Sequence, residues 1–397
     1  MKIELKGMVK DILLRTFKVK GTGFEFWTPI RSIQPSKSDE IGIPYRDLRK
    51  VFEIYLAFKV DRLMELSSSR TLERYYEKFI QRRINLFSNE KGLKIIVPSI
   101  EFSEIPKKKA EFLGTLLADL LSLFDGDIIV SSPIFYRVNE EGIYELLSAF
   151  YKNVADLGKK TLLAIPEVSR DLRLDIFQLF STYYNEYDNF LFDIVCVDYN
   201  GSNPISKHSF HNMVLRLVKI IEDQLNQNIL LYGINVKYSK FAQKYEKLPA
   251  RDIASVFGGL DIIGPNHRRP VISRDVADIL KRKGMVEKKV LDLSQYAYIL
   301  IRNYLKDQEV YEEIEKVFKV KIDKIISAKN ERESETMLKA YNAERLATEL
   351  RNLSSIIRAN EIDPKEYLLS KNAIKEDKII IRRLNNFVSM YTTEILK

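Results

Sequence analysis

At 397 residues, 45% of them hydrophobic and 30% charged, the chain exceeds one average domain and can bury a large core; with only 15 Gly and 12 Pro it belongs to neither the disordered nor the collagen-like class. Sixty-four Lys and Arg against 55 Asp and Glu leave a net charge of +9, a lean toward a polyanionic partner that the Lys- and Glu-rich surface of a thermophile protein would also produce. The single cysteine, Cys196, excludes an internal disulfide and a structural zinc site built from several thiolates.

No run of 18 or more apolar residues occurs, and the first 20 residues carry charges among their apolar positions. The reading is no signal peptide, no membrane partner and a cytoplasmic location. Residues 1–24 alternate apolar and polar in "KIELKG" and "LLRTFKVKGTGFEF", with Gly21 and Gly23 as punctuation, and predict an N-terminal β-hairpin.

From there to residue 285 the pattern is short apolar runs separated by amphipathic stretches. The runs are "FEFWTPI", "EIYLAFKV", "LKIIVPS", "DIIVSS", "TLLAIPE", "FDIVCVD", "ILLYGINV" and "LDIIG". Strand and helix alternating in this way call for a parallel sheet, and eight units over about 240 residues match an α/β fold of the (β/α)8 TIM-like barrel type. "EIYLAFKV" is also compatible with a helix, and an open doubly wound sheet is the structural alternative. Residues 286–397 predict a mainly helical appendage. In it Met337, Tyr341, Leu346, Leu350, Leu353 and Ile357 form one packing face, which Asp363 and Pro364 end. "KIIIRRLNNF" reads either as a buried strand or as a phosphate-facing edge.

In a barrel the C-terminal strand ends carry function. They present Thr28 and Arg31, Lys59 and Asp61, Ser99 and Glu101, Ser131 and Ser132, Glu167, Asp198 and Asn200, Asn235 and Lys237, and Asn266, His267 and Arg268, with Arg269 next in sequence. His267 follows a strand directly and suits an acid, base or phosphate donor. Glu167 and Asp198 end successive strands, as a pair for acid and base chemistry or as caps of the next helices. Asp261 lies inside its strand, where a buried carboxylate is either a nucleophile or half of an ion pair with Arg268, Arg269 or Lys237. His208 and His211 are spaced three apart but lack a third ligand nearby, so no metal is expected. Neither GxxxxGK[ST] nor GxGxxG occurs, and no cofactor is expected.

Taken in order, "FEFWTPIRSI", "IIVPSIEF", "GDIIVSSP", "LLAIPEVSRDLR", "LLYGINV" and "GGLDIIGPNHRRP" resemble the strand segments of the tRNA-guanine transglycosylase family, over roughly residues 15 to 270. The resemblance implies a (β/α)8 barrel and base exchange in tRNA through a covalent intermediate. This chain departs from it where chemistry is done. Gly264 stands at the nucleophile's position, Pro98 at the proton-handling Asp, Pro133 at the base-binding Asp, and the family's zinc cysteines are missing.

The expectation is therefore a nucleic-acid-binding, non-catalytic or strongly diverged member whose partner is tRNA, alone or assembled with itself or a catalytic paralogue. Its contacts would come from Arg31, Lys59, Lys237, Asn266, Arg268 and Arg269, with Ser99, Ser131, Ser132 and Asn200 lining a substrate pocket. The alternatives are an active base-exchange pentosyltransferase rebuilt on Asp261, Asp198, Glu167 and His267, and a barrel enzyme acting on a small anionic metabolite.

Overall fold

The computed structural model describes residues 1–9, 11–34, 36–65, 71, 74–75, 78, 81–86, 90–124, 128–239, 245–268, 288–306 and 315–392. Strands β1 (Lys2–Met8), β2 (Arg15–Gly21) and β3 (Phe24–Trp27) form an antiparallel sheet, in which Phe17 and Val19 turn inward while Lys18 and Lys20 stay at the surface. The first apolar run is thus divided: Phe24–Trp27 belongs to this sheet, and only β4 (Ile30–Arg31), beyond Thr28 and Pro29, enters the central one.

The central strands are β4, β5 (Val51–Phe58), β6 (Leu93–Glu101), β7 (Ile128–Ser131), β8 (Ile134–Tyr136), β9 (Thr161–Ile165), β10 (Phe190–Ser202), β11 (Leu230–Val236) and, after β12 (Lys247–Pro249), β13 (Ile262–Ile263). Their order is β4-β13-β11-β10-β9-β7-β6-β5, every neighbouring pair is parallel, and β8 adds to β6. Past β4, Ile33 forms a parallel bridge to Phe52: its N–H donates to Val51 O at 2.8 Å and its carbonyl accepts from Glu53 N–H at 2.8 Å.

Both faces of the sheet are apolar, as parallel strands covered on each side require. Alternate residues such as Ile54, Leu56, Ile96, Leu163, Val195, Val197 and Leu231 share one core with the flanking helices Lys107–Ser122, Ile143–Asp156, Arg170–Glu186 and His208–Leu225. The opposite set, including Val51, Tyr55, Leu93, Ile95, Val97, Ile194, Cys196 and Tyr232, packs with Phe17, Val19 and Phe26 of the antiparallel sheet. This period of two fixes which side chains of each strand enter the second core.

Beyond residue 285 the chain is not helical throughout. β14 (Lys289–Asp292) and β15 (Ala297–Leu300) form a hairpin, at whose turn the Asp292 carboxylate accepts from Ser294 N–H at 2.8 Å, and β15 also pairs with β12. Helices then dominate. In Glu331–Ala359 the side chains of Tyr341, Leu346, Leu350 and Leu353 are buried. That helix ends at Asn360 in the left-handed region, and Asp363 instead caps the next one, Pro364–Leu369. Among the described residues no helix is long and apolar enough to cross a membrane.

Candidate functional site

Polar side chains converge at the C-terminal ends of the central strands. The period that sends Val51 and Tyr55 inward does the same to Glu53, which is fully buried. One of its oxygens, Oε1, pairs with His267 Nε2, and the other lies 3.4 Å from Ser32 Oγ, itself 2.9 Å from the Tyr232 hydroxyl. The His267 ring lies flat on Tyr55, with centroids 4.0 Å apart and planes 11° from parallel, and its backbone N–H donates to Asn235 Oδ1 at 3.0 Å. Burial pushes the Glu53 carboxyl up, against the opposing pull of His267.

Arg268 fills the space beside it. Its Nη1 donates to Tyr55 Oη at 2.6 Å, Glu101 Oε1 at 2.7 Å and Ser99 Oγ at 3.1 Å; its Nη2 donates to Asp198 Oδ2 at 2.5 Å. The guanidinium carbon also sits 4.4 Å from the centroid of Tyr136. Burial alone would lower its pKa, but Asp198, Tyr55 and Glu101 more than offset that and hold it above the ordinary arginine range. Asp198 is further fixed through Oδ1 by Asn235 Nδ2 at 2.8 Å and Asn200 N–H at 2.9 Å.

The expected anion-binding trio after β13 is thus engaged internally: Arg268 with two carboxylates, His267 with Glu53, and Asn266 Oδ1 with Arg268 N–H at 3.2 Å. Glu167 caps no helix. It accepts from Asn200 Nδ2 at 2.8 Å and pairs with Lys207. Ser99 joins the cluster, whereas Ser131 bonds to the Ser132 carbonyl and Ser132 is reached by Tyr151 Oη at 2.8 Å from the helix Ile143–Asp156. Arg31 pairs with Asp39 at 3.1 Å and Lys59 is exposed. Lys237, half-buried, is pushed down by desolvation. Arg269 lies outside the described residues.

Asp261 is not part of this cluster. Its Oδ2 accepts from Leu231 N–H at 2.8 Å near the start of β11 and lies 2.5 Å from Arg15 Nη2, which also reaches Glu222 at 3.3 Å. It is one half of a buried ion pair, and the partner, Arg15, is remote in sequence. His211 Nε2 donates to the Gly258 carbonyl at 2.8 Å while Nδ1 faces Tyr199 Oη at 2.6 Å, so both ring nitrogens are used. No group of three His, Cys, Asp or Glu that could hold a metal occurs among the described residues.

The backbone is strained at the same end. Phe102 follows β6 at φ 49° and Arg137 follows β8 at φ 53°; Asn200 and Asn235 hold 52° and 55°. Asn tolerates the left-handed region, but Phe and Arg do so at a cost of about 1–2 kcal/mol each. Phe102, 42% exposed, meets Tyr136 edge-on at 5.0 Å, and the Arg137 guanidinium lies 5.8 and 5.6 Å from these two rings. Sequence reasoning missed Phe102, Tyr136, Glu53 and Tyr55 as site residues. For Glu53 the signal was present, since a lone carboxylate alternates there with Val51 and Tyr55.

Gly264 follows β13 directly. A Cβ there would stand 2.6 Å from Gly233 O and 2.8 Å from Glu53 Oε2, so a side chain at this position forces the backbone to shift. Compared with known proteins, the chain matches no family model and no curated protein.

Proposed function

We propose that this chain binds nucleic acid, tRNA foremost, on a closed (β/α)8 barrel that lacks the covalent chemistry of the transglycosylases it resembles. The bridge from Ile33 to Phe52, joining the two ends of the strand order, supports closure. The observation that carries the binding reading is the rim formed by Phe102, Tyr136 and Arg137. Phe102 is an exposed aromatic beside the exposed cation Arg137 and half-buried Tyr136, a combination that suits an unpaired base and its phosphate, and the backbone at Phe102 and Arg137 is held in a costly conformation. The crowding at Gly264 and the neutralisation of Asp198 and Glu101 by Arg268 support the loss of base exchange. Titrating tRNA against the protein at increasing salt tests the reading: affinity falls steeply if phosphates are contacted, and undetectable or salt-independent binding overturns it.

Lys237 favours a second reading, a barrel enzyme for a small anionic metabolite. No carboxylate contributes to its shift, and its ammonium is desolvated where the barrel's usual anion site lies. Saturable binding of a phosphorylated metabolite, abolished by Lys237→Met, together with no salt-sensitive tRNA binding by the unaltered chain, would select this alternative.

A further inference from the structure

The basic run of the last helix, Lys378–Thr392, plays no part in the cluster around Arg268. Ile380, Leu384 and Phe387 bury one side of the helix, leaving Arg382 exposed and Arg383 half-buried. Three segments distant in sequence meet there. Arg383 Nη1 donates to the Ile205 carbonyl, Arg251 Nη1 reaches Ser206 Oγ at 3.5 Å, and the His208 ring stacks on Phe387 with centroids 5.5 Å apart. Asp377 answers Arg251 at 2.8 Å. After burial, the effects lowering the Arg383 pKa come from Arg251 and Arg382, and Arg383 and Arg382 likewise lower that of His208. Asp377 offsets part of this at Arg383, but it is already paired with Arg251, so folding still crowds like charges and a further anion would relieve them.

This patch adjoins the rim's end of the sheet. Lys207, one residue before His208, pairs with Glu167; Glu167 bonds Asn200, Asn200 bonds Asp198, and Asp198 bonds Arg268. On its other side Arg268 holds Glu101, the residue before Phe102. A polar chain thus crosses the strand ends from the basic patch to the aromatic rim.

We propose that Arg251, Arg382, Arg383 and His208 form a docking surface for the phosphodiester backbone of the nucleic acid whose unpaired bases reach Phe102 and Tyr136. This rests on the nucleic-acid reading above. Both features are needed for one strand: stacking is sequence-tolerant and tracks bases, while the cations track phosphates.

The test is binding of an unmodified tRNA transcript across a salt series to the full chain and three variants. For Arg382→Ala/Arg383→Ala, the slope of log affinity against log salt should fall by roughly 1.4 to 1.8, since each phosphate contact contributes about 0.7–0.9, with at least tenfold weaker binding near 0.1 M salt. Arg382→Glu, altered only at an exposed position, should weaken binding similarly and serves if the double variant does not fold. Phe102→Ala should lose affinity with its slope unchanged. Parental slopes in both arginine variants overturn the docking surface and leave the nucleic-acid reading standing. No salt-sensitive binding by the unaltered chain overturns both.

Discussion

Arg268 Nη2 lies 2.5 Å from Asp198 Oδ2, and the same guanidinium reaches Glu101 on another strand. One planar cation therefore spans β6 and β10 and satisfies two carboxylates, a geometry that Arg's forked donors allow and a single ammonium does not. The strand ends are closed by the protein's own side chain.

Removing that cation should be severe. Arg268→Ala leaves Asp198 buried without its partner, and a loss of about 3–5 kcal/mol is expected in urea unfolding at pH 7. Arg268→Lys should fall between, since it keeps the charge but cannot grip both carboxylates. An alanine variant as stable as the parent would show that the cluster is not holding the strand ends together.

Placing a carboxylate at Gly264, which the transglycosylase resemblance aligns with a nucleophile, should not create covalent chemistry. Any Cβ at Gly264 meets the Gly233 carbonyl, which is backbone and cannot swing aside, so Gly264→Ala should cost about 1–3 kcal/mol and Gly264→Asp more. Mass spectrometry of Gly264→Asp incubated with tRNA should find no protein–RNA adduct; an adduct would show that a carboxylate at this position can act as a nucleophile.

The strands were the most legible part of this chain. Seven of the eight apolar runs supply strands of the parallel order, because segments buried on both faces must be largely apolar, while the first gives its strand to the antiparallel sheet and only Ile30 to the central one. The β14–β15 hairpin was hidden by its brevity, and its turn carries an Asp292 side-chain contact that periodicity does not register. At the site, position along a strand identified Asp198, Ser99, His267 and Arg268 as neighbours but not as partners. Pairing is three-dimensional: Glu53 and His267 are far apart in sequence, and Arg15 rather than Arg268 answers Asp261. Of the basic residues expected after β13, Arg268 turns inward because buried carboxylates require cations.

His211 should make stability fall in mild acid. Burial, with His208 and Arg15 nearby, lowers its pKa to about 4 in the folded chain, against about 6.5 when unfolded. Above pH 6.5 both states are neutral and its contribution is intact. Between pH 6.5 and 4 only the unfolded state takes up the proton, so stability declines, by up to about 3 kcal/mol at the lower limit. Comparing urea midpoints of the parent and His211→Gln at pH 7 and pH 5 isolates this term. The parent's advantage should shrink toward pH 5, and an unchanged difference would refute the assignment.

Phe102 should separate stability from binding. Phe102→Gly relieves a left-handed backbone costing about 1–2 kcal/mol, and it forfeits an edge-to-face contact with Tyr136 of about 0.5–1.5 kcal/mol. The two nearly cancel, so the thermal midpoint should move little. A stacked base contributes about 1–3 kcal/mol, so affinity for single-stranded or looped RNA should fall about 5- to 150-fold. Equal affinities in parent and variant would remove the stacking role. A large drop in stability instead would assign Phe102 to holding β6 and β8 together.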